Sequence, residues 1–396
     1  MDDYVIRVLT TLSEVDAGAW DSLLQSQSNP TPFMRHAYLS ALLESGSACR
    51  ATGWVPQIVT LEQNSVLVAA AVVYVKDHSM GEYVFDWAWA NAYQQHGLDY
   101  YPKGVVAVPF TPVPGSRLLA RDSKARASLL RALVQGAQDR GLSSLHLLFT
   151  ADEDVEAARQ IGLLLRHTVQ FHWTNSAEGY ADFDTFLATL SQDKRKKIRQ
   201  ERRKVLEAGV TFRHAQGAGI RVEDWAFFYR CYERTYLEHG NAPYLTPDFF
   251  SRMAQDMPEN WLLFIAEREG RPIACSLIAI GPGETPDGQE KPNQVAYGRY
   301  WGALERVDCL HFEACYYQPL EWCIAKGYHR FEGGAQGEHK MARALLPVKT
   351  TSAHWIAHPE FRRAIANFLN REEQGIDNYM EALQSRSPLR ASPVNL

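Results

Sequence analysis

The feature that most constrains how this chain can fold is that it repeats itself, loosely but in order. Trp54-Val-Pro-Gln-Ile58, running on to Glu62, matches Trp261-Leu-Leu-Phe-Ile265, running on to Glu269. Each copy passes through a turn into an apolar run, which is the pattern of a β-hairpin. Gln63-Asn64-Ser65 is the expected turn of the first copy and Gly270-Arg271-Pro272 that of the second. Downstream, an amphipathic helix expected over 124–140 ends at Gly141 and leads into Leu145-His-Leu-Leu-Phe149. Its counterpart over 309–326 ends at Gly327 and leads into Tyr328-His-Arg-Phe331. Glycine tolerates the left-handed backbone that closes a helix, so both glycines sit where a helix should stop. Upstream, helices are expected after Trp20 and Pro32 in one half, and from Trp225 and after Pro247 in the other. Each half therefore reads helix, helix, hairpin, strand, helix, strand.

Length agrees with this duplication, because 396 residues exceed the size at which one hydrophobic core keeps growing. A hydrophobic fraction of 46% with 22% charged residues excludes a disordered chain. The net charge of -5 argues against a protein that coats nucleic acid, and DNA is not an expected partner. Six cysteines lie scattered without a Cys-x-x-Cys pair, which fits a reducing compartment. The N-terminus begins Met1-Asp2-Asp3, acidic where a signal peptide would be basic, and no apolar segment follows it. The longest apolar stretch, Val66 to Val75, is about half of what a membrane-spanning helix needs and reads as a buried strand. The expectation is a cytoplasmic protein without a membrane span.

A bent mixed sheet with helices on both faces, built in that order, resembles a GNAT-type acyltransferase lobe. The expected fold is α/β, of the α+β type, with two tandem GNAT-like lobes, each a bent mixed sheet with flanking helices. The boundaries read from the sequence are 1–170 for the first lobe, 171–385 for the second including a basic helix, and 386–396 for a Ser-, Pro- and Arg-rich tail that frays.

That basic helix runs from Lys194 to Lys204 and holds eight of the 41 basic residues in eleven positions. A solvated face accounts for such a run, and so does an anion-binding surface, since like charges on one helix repel unless something neutralises them. The pattern Leu190, Lys194, Arg195, Ile198, Arg199, Lys204, Gly209, Val210 resembles the basic helix of the Fem family, the non-ribosomal peptidoglycan aminoacyltransferases with tandem GNAT-like lobes. More of the chain is similar to the FemAB-like group of predicted N-acyltransferases. The residues that carry this are Gly81-Glu-Tyr-Val-Phe-Asp86-Trp87, Tyr100-Tyr-Pro-Lys103, Val108-Pro-Phe-Thr-Pro-Val113, Phe171-His-Trp173, Tyr297-Gly-Arg-Tyr-Trp-Gly302, Leu310-His-Phe-Glu313 and Phe331-Glu-Gly-Gly-Ala-Gln-Gly-Glu-His-Lys340.

One departure bears on the donor. An acetyl-CoA lobe starts a helix with Gln/Arg-x-x-Gly-x-Gly/Ala, whose amides cradle the pyrophosphate. Here only near misses occur: Arg299-Tyr-Trp-Gly302-Ala-Leu304 and Arg159-Gln-Ile-Gly162-Leu-Leu164. This moves the expected donor from acetyl-CoA toward another acyl-CoA, an acyl carrier or an aminoacyl-tRNA.

Acyl transfer to an amine needs a base for the ammonium proton, donors for the developing oxyanion and a proton for the leaving group. Within nine residues after a strand stand Glu332, Gln336, Gly337, Glu338, His339 and Lys340, with glycines that let backbone amides approach a ligand. Glu332, Glu338 and His339 are the catalytic candidates there, joined by His311 and Glu313 at the start of the helix that Gly327 ends. Gln336, Gly337 and Lys340 are candidates for substrate binding. Arg299 and Trp301 join them on the preceding strand, where alternation puts both on one face and Tyr300 on the other. Lys194, Arg195 and Arg199 are candidates on the basic helix. In the first half, Glu82, Asp86, Tyr101 and Lys103 belong to a crowded aromatic and charged segment that reads as the rim of an acceptor pocket, or simply as core. No metal site is expected, because His354-x-x-x-His358 is followed at once by Pro359 and has no third ligand nearby in sequence.

The leading expectation is an N-acyltransferase moving an acyl group from an acyl-CoA or other activated donor to a small-molecule or peptide amine by direct attack. It has no permanently bound cofactor. Two alternatives stay open: a Fem-like transferase that uses aminoacyl-tRNA on a peptidoglycan precursor, with tRNA as partner, and an inactive GNAT-fold binding module.

Overall fold

Both hairpins form where the repeat places them. In the computed structural model, which describes residues 4–281, 294–334 and 337–390, the first joins β2 to β3 through Asn64 and Ser65, both at positive φ. Two such residues make the turn whose twist matches that of the flanking strands. The second hairpin turns at Glu269 and Gly270, with φ of 52° and 70°, so its strand resumes at Arg271, two residues earlier than the sequence implied.

In chain order the strands are β1 (Val5–Leu9), β2 (Val55–Gln63), β3 (Val66–Lys76), β4 (Lys103–Val106), β5 (Leu119–Ala120), β6 (Ser144–Thr150) and β7 (Leu164–Thr174). They continue as β8 (Val210–Gln216), β9 (Trp261–Arg268), β10 (Arg271–Ile280), β11 (Val295–Ala303), β12 (Arg330–Glu332) and β13 (Leu346–Ile356). The helices are α1 (Ala17–Gln25), α2 (His36–Glu44), α3 (Trp87–Gln95), α4 (Ser123–Asp139), α5 (Asp152–Gln160), α6 (Phe183–Ala188), α7 (Gln192–Glu207), α8 (Val222–Glu238), α9 (Pro247–Asp256), α10 (310–325) and α11 (Pro359–Ser385). Among the described residues no helix is long and apolar enough to cross a membrane.

The chain divides into two units, Met1–Thr168 with Lys349–Asn378, and Val169–Val348 with Tyr379–Leu396. In the first, the sheet order is β1-β2-β3-β4-β6, with β4 antiparallel to β3 and parallel to β6 across the α4 crossover. In the second it is β8-β9-β10-β11-β12, with β11 antiparallel to β10 and parallel to β12 across α10. The two units are thus GNAT-like lobes with the same strand order. Gly141 and Gly327, at φ of 65° and 68°, follow the equivalent helices.

What the sequence did not show is how each sheet continues past its fifth strand. β6 pairs antiparallel with β13, and β12 pairs antiparallel with β7 through Phe331↔Trp173 and Glu332↔His172. Each lobe therefore closes with a strand from the other half of the sequence, so 349–378, assigned above to the second lobe, folds with the first. An open strand edge is a liability that another strand removes. The repeat carries no sign of which strand does so.

Each unit has its own core. Leu129, Leu130 and Leu133 of α4 pack on Val59, Val73 and Leu147 in the first. In the second, Ile198 of α7 and Leu320 of α10 pack on Phe264, Ile278 and Phe331. β11 lies so close to α8 that a Cβ on Gly302 would sit 2.1 Å from the Cys231 carbonyl, and only glycine fits. α10 contains a π-helical turn, Glu313–Tyr317, and buried Ser276 on β10 donates to its Ala314 carbonyl at 2.5 Å. Such turns recur at functional sites.

Candidate active site

The chemistry-bearing residues of the second unit gather where two parallel strands part. β11 and β12 pair only through Val295↔Arg330, Ala296↔Phe331 and Tyr297↔Glu332, although β11 runs on to Ala303. Past Glu332 the chain turns away through Gly333 and Gly334, the latter at φ of 84°. A gap opens there between the far half of β11 and the segment that follows β12. Lys340 marks it: its ammonium donates to the Gly334 carbonyl at 2.9 Å, and a Cβ on Gly333 would meet its side chain. Burial brings the Lys340 pKa down to about 8, which leaves a largely protonated cation at neutral pH beside the backbone of Gly333 and Gly334.

A row of rings crosses the same gap. Trp301 of β11 meets His311 edge-on at 5.4 Å, His311 meets Tyr316 at 5.7 Å, and the Tyr316 hydroxyl lies 3.2 Å from His339 Nε2. Burial lowers His311 to about 4, with His339, Arg343 and Lys340 adding repulsion, so it is neutral at physiological pH. His339 is exposed and is lowered by partial burial and by the charges of Arg343 and Lys340. Arg343 holds the segment: its guanidinium lies 3.5 Å from the Phe312 ring centre, pairs with Glu201 of α7 at 2.8 Å and donates to the His339 carbonyl.

Glu332 is the last residue of β12 before the strands part and is only 2% exposed. It pairs with Arg330 at 2.9 Å and lies 3.9 Å from His172 Nδ1 on β7. Its Oε2, like Arg330 Nε, has no hydrogen-bond partner among the described residues. Burial raises its pKa to about 7 against the pull of Arg330. His172 is lowered to about 3, chiefly by burial, and stays neutral. A carboxyl poised near neutrality with one open oxygen is suited to accept a proton.

Glu313 is buried in the π-helical turn and raised by burial, while Arg202 of α7 pairs with it at 3.1 Å and Gln318 donates to it at 2.7 Å. Its partners give it a structural role tying α7 to α10. The basic helix thus has two faces. Ile198, Glu201 and Val205 are buried, whereas Lys194 and Arg195 are half-exposed and Lys196, Lys197 and Arg199 lie in solvent. Arg199 pairs with Asp184 at 3.1 Å across an exposed surface, and Lys194 to Lys197 have no ion pair among the described residues.

The matching place in the first unit is filled. β4 and β6 pair through Gly104↔Leu145 to Val106↔Leu147, and Gly115 then bridges to Thr150. Arg117, 1% exposed, donates from Nε to the Leu148 carbonyl at 3.0 Å and from its other nitrogens to the carbonyls of Gly115 and Val113. The proline-rich segment after β4 therefore occupies the gap that is open in the second unit.

Glu82, Asp86 and Lys103 are buried together in the first unit. The Lys103 ammonium contacts Ser79, Glu82 and Asp86 at 2.7, 2.8 and 2.5 Å. Tyr100 donates to Asp86 at 2.6 Å and lies 3.1 Å from His146, whose Nδ1 is 2.7 Å from that of His354. Lys76 completes the group, 3.9 Å from Glu82 and 3.4 Å above the Trp54 ring. Burial raises Glu82 to about 7 and lowers Lys76 to about 7. Against its own burial, Asp86 is held well below the usual carboxylate range by Lys103. Tyr101 is half-buried, its hydroxyl 2.9 Å from Ser79.

Of the residues named from sequence, the structure brings together His311, Trp301, His339 and Lys340, and sets Glu332 at the base of the same gap. Glu338 is exposed and engages the C-terminal segment, accepting from Tyr379 at 2.7 Å with Arg386 3.7 Å away. Gln336 lies outside the described residues. Gly337 has φ of 114°, and a Cβ there would collide with the His339 ring. Arg299 does not share a face with Trp301 as simple alternation implied. The β10–β11 register shifts between Leu277 and Ile278, and the Arg299 guanidinium lies 5.1 Å from the ring centre of neighbouring Tyr300. Sequence reasoning did not single out Arg330, Arg343, Tyr316 or Glu201. An arginine two residues before a buried glutamate on one strand face was the available signal for Arg330.

The sequence profile of the FemAB-like family, described as peptidoglycan biosynthesis/recognition, matches residues 11–391. None of the curated proteins is a match. Among solved structures, FemX is similar with a TM-score of 0.55 at 9% identity, covering 91% of this chain and 100% of its own. L-PGS from Bacillus licheniformis is similar with a TM-score of 0.51 at 12% identity, covering 89% and 97%. At these identities the likeness is one of fold.

Proposed function

Because this chain belongs to the FemAB-like family, we propose that it is an N-acyltransferase whose donor end enters the gap between β11 and β12 of the second lobe. The observation that carries the reading is the contrast between the lobes: one plan is open at this point and furnished with Lys340, His311, Tyr316 and His339, while its twin is plugged by Arg117 and the segment after β4. Fold alone does not assign a reaction, but two strands that part beside a raised carboxyl, a cation and a glycine backbone have the parts that acyl transfer needs.

In this mechanism the acceptor amine, from a small molecule or peptide, attacks the donor carbonyl directly, forming the C–N bond as the bond to sulfur or oxygen breaks. The Glu332 carboxylate takes the proton lost by the amine. Lys340, with amides of the glycine segment, stabilises the oxyanion, and the Tyr316–His339 pair supplies the proton for the leaving group. No covalent enzyme intermediate forms. All six cysteines are free thiols, which supports a reducing, cytoplasmic setting.

The exposed side of α7 favours a donor rich in phosphate, either an acyl-CoA or, in the second reading, an aminoacyl-tRNA used on a peptidoglycan precursor. Reversing charge at Lys194, Arg195 and Arg199 together should weaken binding of such a donor by about tenfold or more. If the donor is tRNA, the log–log salt dependence should become shallower by about 2. Binding of an acyl-CoA is read by thermal shift and of charged tRNA by gel shift, each over a range of salt. Unchanged affinity and slope would leave α7 a solvated face, and silence toward both donors would favour a lobe pair that binds without catalysing.

A further inference from the structure

In the second lobe His339 and Lys340 stand on a six-residue helical turn, 338–343. The backbone bonds at its ends are local: the Lys340 N–H donates to the Gly337 carbonyl, the Ala344 N–H to that of Met341 and the Leu345 N–H to that of Lys340. Met341 and Leu345 seat one side of the turn in the core. Arg343 places the polar side.

Arg343 is 2% exposed, and its two terminal nitrogens reach different elements. Nη1 donates to the His339 carbonyl at 2.7 Å, which ties the guanidinium to its own turn. Nη2 pairs with Glu201 of α7 at 2.8 Å, and the same carboxylate oxygen accepts from the Tyr317 hydroxyl of α10. The guanidinium also lies 3.5 Å from the ring centre of Phe312. A planar fork makes both bonds at once, whereas an ammonium is a point charge without that geometry. The backbone of His339 is therefore fixed from α7.

Glu201 sits on the helix whose exposed side is assigned above to the donor. It is 8% exposed, but Lys197 and Lys204, one helical turn before and after it, lie in solvent along the same stripe. Donor phosphates held there and the turn that carries His339 and Lys340 thus share one support. Misplacing a reacting group by about 1 Å can cost on the order of a hundredfold in rate, so a shared support has kinetic value.

We propose that Glu201 and Arg343 are positioning residues of the acyl-transfer site, anchoring the backbone of His339 and Lys340 to the donor-binding helix α7. The inference rests on the acyl-transfer reading. Both residues act through His339 and Lys340, whose side chains meet the Tyr316 hydroxyl and the Gly334 carbonyl.

The test uses the full chain and three variants. Glu201→Met combined with Arg343→Met removes both charges together at nearly constant volume, so neither is left unpaired in the interior and the far-UV spectrum should match the parent's. Arg343→Lys keeps the charge beside Glu201 and loses the fork. Glu201→Gln can still accept from Arg343 and is the conservative control. Without any donor, hydrogen exchange at the Lys340, Ala344 and Leu345 amides should be about tenfold or more faster in the double variant, with β9 and β10 unchanged. Turnover is read as release of free thiol from an acyl-CoA or of uncharged tRNA from an aminoacyl-tRNA. The double variant and Arg343→Lys should lose about tenfold or more in kcat with the donor KM within about twofold, and Glu201→Gln should stay within about threefold of the parent. Parent-like exchange in the double variant, or parent-like kcat in it or in Arg343→Lys, would overturn the inference and leave the acyl-transfer reading in place. A parent chain that turns over neither donor would instead remove that reading, and this inference with it.

Discussion

Replacing Lys103 with methionine should lower the stability of the first lobe by about 3–5 kcal/mol, measured by urea unfolding of the full chain. Lys103 is completely buried, and its ammonium is the shared partner of Glu82 and Asp86, which are 4% and 3% exposed. Methionine keeps the volume and removes the charge. Two carboxylates would then remain buried, with Lys76 as the nearby cation among the described residues, 3.9 Å from Glu82, and the Tyr100 hydroxyl on Asp86. Breaking a buried pair from one side costs more than the pair contributes, because the surviving charge has no water to return to. The triple variant Lys103→Met, Glu82→Gln, Asp86→Asn should therefore recover most of the loss. A single variant as stable as the parent would mean that the carboxylates take up protons without cost and that the network is not held by charge.

Glu332→Gln should reduce turnover by about a hundredfold while leaving the far-UV spectrum and the melting transition near those of the parent. Glutamine preserves the shape at the end of β12 but cannot take a proton from the attacking amine. The pH profile gives a second, independent readout. Burial sets the Glu332 pKa at about 7, so the catalytic form is its deprotonated one and kcat/KM should rise as pH increases through that value. The acid limb should disappear in the variant. On the proposed mechanism Arg330 would act on this step only through Glu332, by pairing with it and holding its pKa against the pull of burial, with His172 3.9 Å away from the same carboxyl. Full activity in Glu332→Gln, with the acid limb intact, would assign the proton to another group.

How far the sequence could be read depended on burial. The hairpins and the helices closed by Gly141 and Gly327 announce themselves because each has one apolar face and a defined stop, and α4 begins and ends within one residue of expectation. β1 gave no usable pattern, since Val5, Ile6 and Val8 are all more than half exposed at the sheet edge and nothing distinguishes one face from the other. The exchange of β7 and β13 was invisible for a different reason: pairing partners far apart in sequence leave no local periodicity. His172 shows the same limit at the site, for its relation to Glu332 exists only through the β7–β12 register. The cluster from Glu82 to Lys103 was legible as crowded and charged. Its closure was not, because that depends on Tyr100, His146 and His354, which arrive from three separate strands and loops. Alternation failed at Arg299, where the register shift breaks the period of two.

The central claim is that donor chemistry belongs to the open gap of the second lobe and not to its plugged twin. Hydrogen exchange of the full chain, with and without a saturating donor, tests it directly, using an acyl-CoA in one arm and an aminoacyl-tRNA in the other. Bound donor should slow exchange at amides of 298–303 and 337–343 and leave 104–118 in the first lobe unchanged. Slowing confined to 104–118, or no slowing in either lobe with either donor, would contradict the account.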